Sequence, residues 1–251
     1  MPVHPAHEVE SAEARAAAEG GAEKRAYVRR IFSEIAPSYD LLNHLLSFNV
    51  DKRWRRRALE ALAWTRAPEG LYVDLCAGTL DVTAELVRRP GFRGRVLGAD
   101  FAEPMLRAGR GKVAAVRVTP VVADALELPI ADGAASGAIV AFGIRNVTDL
   151  DACLREVRRV LAPGGRFVIL EFTTPRSRVV RGAYHLYFHH VLPLIGGAVS
   201  GHRTAYKYLP QSVANFPEER ALAGRMAQAG FREVGWTTLS LGIAAIHWGE
   251  R

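Results

Sequence analysis

The chain is expected to adopt an open α/β fold on a seven-stranded, mostly parallel sheet, and three observations carry that expectation. From residue 71 to residue 172, apolar runs of strand length alternate with helix-length amphipathic stretches. Within that pattern, Val73-Asp74-Leu75-Cys76-Ala77-Gly78-Thr79-Leu80-Asp81 reads as a buried strand that runs through a glycine-bearing loop into a helix. The chain then closes on two extended runs, Phe231 to Leu239 and Ile243 to Trp248, around a Leu241-Gly242 turn. That is the pattern of an antiparallel hairpin at a sheet edge.

Taken in order, residues 1–23 contain five Glu against one Arg and read as a disordered or loosely helical acidic tail whose removal leaves catalysis intact. Residues 24–65 read as helices with a break near Ser47-Phe48-Asn49, forming an N-terminal substrate lid. Strands follow at 71–76, 95–100, 118–123, 137–142 and 166–172, with helices near 81–89, 103–114 and 149–161. Strands alternating with helices require right-handed crossovers, hence parallel pairing. The turn Ala162-Pro163-Gly164-Gly165 stops one helix and starts the next strand. Residues 176–216 interrupt the alternation with an apolar, aromatic and histidine-rich helical insertion. With no repeats and no long linker, residues 24–251 form a single domain.

Composition narrows the class. At 251 residues and 49% hydrophobic content the chain can bury a substantial core. No run approaches the roughly 18 to 20 apolar residues of a spanning helix, and the start lacks a basic-then-apolar signal. The expected location is cytoplasmic, with room for a peripheral position at the inner face of the cell membrane. Cys76 and Cys153 lie in unrelated segments, so neither a disulfide framework nor a zinc site is expected, and Cys76 reads as a small core residue. The net charge of +7 includes a basic stretch (Arg29, Arg30, Lys52, Arg53, Arg55, Arg56, Arg57) interleaved with Tyr27, Phe32, Tyr39, Phe48 and Trp54. Nucleic acid, an anionic membrane surface and a plain solvated helix face all fit such a stretch.

The strand-loop-helix around Gly78 carries the functional reading. In open α/β sheets ligands bind outside the carboxyl ends of the strands. The next apolar run ends in Asp100, about twenty residues on, where an acid meets ribose hydroxyls. The two sites together point to a bound adenosine. A dinucleotide would want G-x-G-x-x-G, whereas this loop has Gly78 alone, with Ala77 and Leu80 beside it. Asp74 and Asp81 would repel a diphosphate and suit the sulfonium and ammonium of S-adenosylmethionine. Asp124-Ala125 at the end of the third strand could meet the adenine edge. Arg145 and Asn146 follow the strand 137–142, at the end where catalysis occurs in this architecture.

Here the chain resembles a family, the quinone-biosynthesis C-methyltransferases that methylate demethylmenaquinol or polyprenyl-benzoquinol. The resemblance spans roughly residues 25–249. It rests on Phe32-Ser33-Glu34-Ile35-Ala36-Pro37-Ser38-Tyr39-Asp40 with Asn43, Ser47 and Trp54, and on Asp74-Leu75-Cys76-Ala77-Gly78-Thr79. It continues with Phe142-Gly143-Ile144-Arg145-Asn146-Val147, Pro163-Gly164-Gly165, Val191-Leu192-Pro193, Tyr206-Lys207-Tyr208-Leu209 with Ser212, Phe216-Pro217, and Gly242-Ile243-Ala244 with His247. Pro-Gly-Gly marks methyltransferases in general, while the F-G-x-R-N-V and Y-x-Y-L elements are specific.

The resemblance implies a class I, Rossmann-like S-adenosylmethionine-dependent fold, with cofactor contacts at Thr79, Asp100, Asp124 and Ala125 beside Asp74 and Gly78. Ala141 stands where some relatives carry a cofactor-contacting Ser, and Asn43-His44 and Phe48-Asn49-Val50 depart mildly from the family pattern. The loop Cys76-Ala77-Gly78 is nearer the menaquinone form, so the expected substrate is a polyprenyl naphthoquinol. The ubiquinone-branch benzoquinol or another phenol is the alternative. Arg145 is expected to stabilise the phenolate, Asn146 to orient the ring or a water, and Tyr39 to close the pocket. His185, His189 and His190 are read as part of an apolar lid and tunnel for a prenyl tail or a core-packing helix, with no metal and no nucleic acid as partner. A transient contact with a membrane surface stays open, as does the oligomeric state. A nucleic-acid module would ignore S-adenosylmethionine and weaken steeply with salt. An oxidoreductase is disfavoured by the missing diphosphate glycines.

Overall fold

The computed structural model describes residues 22–37, 39–40, 47, 49–187 and 203–251. The expectations for residues 1–21, for Ser38, Asn43, His44 and Phe48, and for His189, His190 and Val191-Leu192-Pro193 lie outside the described residues, as do the side chains of His185, Tyr206 and Lys207.

Seven strands form one sheet in the order β3-β2-β1-β4-β5-β7-β6. They are β1 (Leu71–Leu75), β2 (Arg95–Asp100), β3 (Val118–Val122), β4 (Ala135–Ala141), β5 (Leu161–Phe172), β6 (Arg232–Leu239) and β7 (Ala244–Glu250). The first five pair in parallel, and β7 runs antiparallel to both β5 and β6. The terminal hairpin forms as expected, but its second strand is the inner one. Burial explains the order: β7 offers Ala244, Ala245 and Ile246, all at most 1% exposed, whereas most of β6 faces solvent. The order reverses between β1 and β4, which opens a crevice outside their carboxyl ends.

Period-two alternation assigns the two faces. Val73 and Leu75 of β1, Ala138 and Val140 of β4, and Phe167 and Ile169 of β5 face the helix Leu150–Val160, with Leu222, Met226 and Phe231. Tyr72, Ile139, Val168 and Leu170 face the helices Val50–Ala61 and Asp81–Val87 through Trp54, Leu59, Val82 and Leu86. Asp149 starts the helix Leu150–Val160, its carboxylate accepting the Ala152 N–H at 2.9 Å.

Boundaries moved where a local conformation took over. The stretch expected as one helix over 103–114 is an α-helix only from Glu103 to Gly109, then a 3-10 turn at Arg110–Lys112. The fourth strand starts at Ala135 and stops before Phe142, which takes a left-handed φ of 60°. Leu161 already pairs with Ala135, after which the Pro163-Gly164-Gly165 bulge shifts the register so that Arg166 meets Gly137. Over the crevice stands the helix Ala22–Ile35, whose Tyr27, Val28, Ile31 and Ile35 pack with Tyr208 of the helix Arg203–Ala214.

Candidate active site

A cleft lies at the carboxyl ends of β1 to β4. One end is shaped by a loop with alternating left-handed residues, Cys76 (φ 50°), Gly78 (φ 52°) and Leu80 (φ 63°). Two of these are not glycine, so the turn is strained and needs outside support. Asp100 supplies some of it: one carboxylate oxygen accepts the Gly78 N–H at 2.8 Å and the other accepts the Ala102 N–H at 2.8 Å. Burial raises the Asp100 carboxyl above its usual range, while the N–H groups around it pull the other way. Gly109 supports the loop from outside, since a Cβ there would run into the backbone of Thr79.

Asp74 faces the other way. Its carboxylate accepts the Thr83 N–H at 3.0 Å and the Thr83 hydroxyl at 2.7 Å, fixing the first turn of the helix Asp81–Val87. Burial pushes its carboxyl up to about 7 against those two bonds. Asp81 stands off the cleft wall, paired with Lys112 at 2.6 Å and Arg55 at 3.4 Å. Thr79 donates its hydroxyl to Asp40, and Lys112 holds both Asp40 and Asp81. Asp124 lines the cleft beside Ala125; it accepts the Leu126 N–H at 3.0 Å and pairs with Arg25 at 3.0 Å.

The other end is formed by Phe142, Gly143 and the 3-10 turn Ile144–Asn146. Asn146 lines the cleft, and its side-chain oxygen is buried with no hydrogen-bond partner among the described residues. Arg145, 9% exposed, points behind the wall. Its Nη1 donates to Glu171 at 2.8 Å and to the Phe142 carbonyl at 2.5 Å, and its Nε donates to the Ser212 hydroxyl at 3.3 Å. Its Nη2 donates to no acceptor among the described residues. The Lys24 ammonium donates to the Arg145 carbonyl at 3.0 Å; burial, then the Arg145 charge, holds Lys24 below its usual range. Tyr39 lines the cleft and meets Phe32 edge-on at 5.9 Å.

Six of the nine expected site residues thus share one wall: Gly78, Asp100, Asp124, Ala125, Asn146 and Tyr39. Asp74, Thr79 and Arg145 stand behind it and hold it in shape. Sequence reasoning missed Glu171, Lys24 and Arg25. Glu171 had a usable signal, an acid at the end of the apolar run Val168-Ile169-Leu170, whereas nothing local distinguished Lys24 or Arg25 from their basic neighbours. The residues present fit an adenosyl sulfonium ligand, with acids after β2 and β3, a close-approach glycine, and the apolar walls Phe101 and Met105. Among the described residues no group of three or more His, Cys, Asp or Glu is placed to hold a metal ion, and no helix is long and apolar enough to cross a membrane.

Comparison with known proteins agrees with this geometry. A protein from Thermus thermophilus called demethylmenaquinone methyltransferase is 50% identical over 224 residues, spanning 88% of this chain and 100% of that protein. A ubiquinone/menaquinone biosynthesis C-methyltransferase, UbiE, from Geobacter sulfurreducens is 46% identical over 233 residues, 91% of this chain and 90% of that one. Among solved structures, a Thermotoga maritima S-adenosylmethionine-dependent methyltransferase superposes with a TM-score of 0.63 at 18% identity, over 88% of this chain and 98% of that one. The [4+2]-cyclase SpnF superposes with a TM-score of 0.66 at 16% identity, over 90% and 96%. A cyclase and a methyltransferase on one scaffold show that these likenesses fix the fold and leave the reaction to the site. Residues 21–251 match the ubiE/COQ5 methyltransferase family, and the chain belongs to it as an S-adenosylmethionine-dependent methyltransferase.

Proposed function

We propose that this enzyme methylates a ring carbon of demethylmenaquinol, giving menaquinol. The observation that carries the reading is one cleft joining an adenosine-type end, with Gly78 and Asp100, to an end walled by Asn146, Phe142 and Tyr39. The name of the Thermus thermophilus relative supports a naphthoquinol as the acceptor. Bound S-adenosylmethionine supplies an electrophilic methyl on a sulfonium. Everything else falls to this chain's residues. Asp100 and Asp124 provide carboxylates for the ribose hydroxyls and the adenine amine, and Asp74 and Thr79 keep the loop between them in register.

The acceptor carbon becomes nucleophilic when its ortho hydroxyl ionises. The Arg145 guanidinium lies behind this end of the cleft, where its charge favours ionisation of that oxygen, and the Asn146 oxygen, unpartnered among the described residues, accepts a hydrogen bond from a hydroxyl or from a water. Tyr39, with Phe32, closes the pocket from the lid side and excludes bulk water. The ring exchanges C–H for C–CH₃, and one proton leaves to solvent. Positioning supplies most of the acceleration.

Methyl transfer from labelled S-adenosylmethionine to reduced demethylmenaquinol, run beside reduced 2-methoxy-polyprenyl-benzoquinol, tests the assignment. Product from the naphthoquinol alone is expected. Product from both would make it a dual-branch enzyme, in line with the double name of the Geobacter sulfurreducens relative, and product from the benzoquinol alone would move it to the ubiquinone branch.

A prenyl substrate resides in a membrane, and the helix Arg178–Leu186 carries Val179 and Leu186, 83% and 62% exposed, beside Arg176 and Arg178. That combination suits peripheral contact with an anionic leaflet on the cytoplasmic side. Sedimentation with phosphatidylglycerol vesicles, and its absence with the V179D/L186D protein, is the expected result. Equal sedimentation of both proteins would refute the contact.

A further inference from the structure

The N-terminal segment that walls the acceptor end also reaches the cofactor end, where its ionic contacts have no part in the reaction as set out so far. Arg25 and Phe32 stand seven residues apart on the helix Ala22–Ile35, two turns on one face, and both line the cleft. Tyr39 lines it as well, and its ring lies 3.9 Å from where a Cβ on Gly78 would stand. Two cations pin this segment down. Just after β3, the Arg25 guanidinium pairs with one Asp124 oxygen at 3.0 Å while the Leu126 N–H donates to the other. At the cofactor loop, Asp40 accepts the Thr79 hydroxyl and pairs with the Lys112 ammonium at 2.5 Å. The same ammonium holds Asp81, at 2.6 Å, in the first turn of the helix that follows the loop. Lys112 thus stands between two carboxylates, one on the lid and one beneath it, that would otherwise repel.

We infer that Arg25 and Lys112 gate cofactor exchange: they pin the N-terminal segment over the adenosine end, so that S-adenosylmethionine enters and S-adenosylhomocysteine leaves when both pins open. The role rests on the cofactor reading of that end and is independent of the acceptor. A gate differs from a ligand contact in its kinetics. A pin closes the cleft of the free and the loaded enzyme alike, so its loss speeds entry and departure by the same factor and leaves the dissociation constant in place. A residue that touches the ligand changes departure, and with it the constant. The side chain of Arg25 is 61% exposed and that of Lys112 26%, so water screens the first pin more and the second is the stronger.

The test follows labelled S-adenosylhomocysteine on the full chain, its association by rapid mixing and its departure by chase with excess unlabelled ligand. Arg25→Met is expected to raise both rate constants about threefold, the range of an exposed ion pair. Lys112→Met is expected to raise both about tenfold, since it also leaves Asp40 and Asp81 facing each other. The double variant should reach about thirtyfold, because both pins act on one opening, with the dissociation constant within about twofold of the wild type throughout. Lys112→Arg keeps the charge and should restore the wild-type rates. Raising sodium chloride from about 50 to about 500 mM should speed exchange in the wild type and leave the double variant unchanged.

Wild-type rates in both Met variants would overturn the gate. So would a weaker constant with an unchanged association rate, which would make the two cations ligand contacts. If Lys112→Met fails to fold, the salt series on the wild-type protein decides, and exchange indifferent to salt would refute the proposal without any variant. Asp100→Asn, measured beside them, separates the gate from the reading beneath it. A weakened constant in Asp100→Asn with unmoved rates in the pin variants refutes the gate alone. An unchanged constant there, with raised rates in the pin variants, keeps the gate and refutes the contact of Asp100 with the cofactor.

Discussion

The two ends of the cleft are held by different kinds of contact. At the cofactor end, short acids meet backbone N–H groups, as in Asp100 to Gly78 and Ala102 and Asp74 to Thr83. Consecutive strands and loops deliver all of these. At the acceptor end, the contacts join segments far apart in the chain: Arg145 with Glu171, Arg145 with Ser212, and Lys24 with the Arg145 carbonyl. A main-chain donor stays put once its strand is formed, whereas a long side chain must be aimed by others. The cofactor end should therefore tolerate loss of one bond with a graded loss of affinity, and the acceptor end should fail in one step.

The sharpest break is Arg145→Ala. Methyl transfer should fall by about 10² to 10³, the usual cost of removing a charge-stabilising donor, with S-adenosylmethionine affinity changed by less than about threefold. Because the change also strands the Glu171 carboxylate, a stability loss of about 3 to 5 kcal/mol is expected. The double variant with Glu171→Gln should recover part of that stability and none of the rate. Full activity in Arg145→Ala would erase the distinction between the two ends.

At the cofactor end, Asp100→Asn should weaken S-adenosylmethionine binding by about 10- to 100-fold, the worth of charge-assisted hydrogen bonds, while the rate at saturation stays within about threefold. Gly109→Ala attacks the same loop from behind, because its Cβ meets the Thr79 backbone. It should cost about 1 to 3 kcal/mol and raise the dissociation constant without touching the acceptor end. Calorimetric titration reads both variants, and an unchanged constant in Asp100→Asn would show that the acid supports the loop without meeting the ligand.

The smallest effect is a pH slope. The Asp74 carboxyl rises to about 7 in the fold through burial. Its contribution to stability is thus fully present below the unfolded value of about 4 and is lost as the pH rises through about 7. Asp74→Asn should gain stability relative to the wild type on going from about pH 5 to about pH 8, measured by urea melts. Parallel curves would mean that the Thr83 bonds keep Asp74 ionised throughout.

The cofactor end was legible in the sequence because it depends on spacing along the chain. The apolar run ending in Asp74, the loop glycine, and the acid after the next strand gave strand, turn and ligand class before any packing was known. The acceptor end was legible only in part. Arg145 and Asn146 could be placed at a strand's carboxyl end, but nothing local says that one points behind the wall and the other into the cleft. Asp81 read as a charge beside the ligand, yet Lys112 and Arg55 draw it away, and both come from other elements. The order of the last two strands was likewise hidden, since their burial depends on which one β5 accepts.

By itself, then, the sequence determined what local periodicity and spacing control: a parallel α/β sheet, a terminal antiparallel pair, an adenosine-type loop, and a strand end bearing Arg145 and Asn146. Only the tertiary structure decided how those side chains are aimed. Aim is set by partners such as Glu171, 26 residues from Arg145, and Lys24, 121 residues away. Such pairs exist only after the sheet has brought the strand ends together and the N-terminal helix has closed over them, because a buried charge takes its direction from the opposite charge that compensates it.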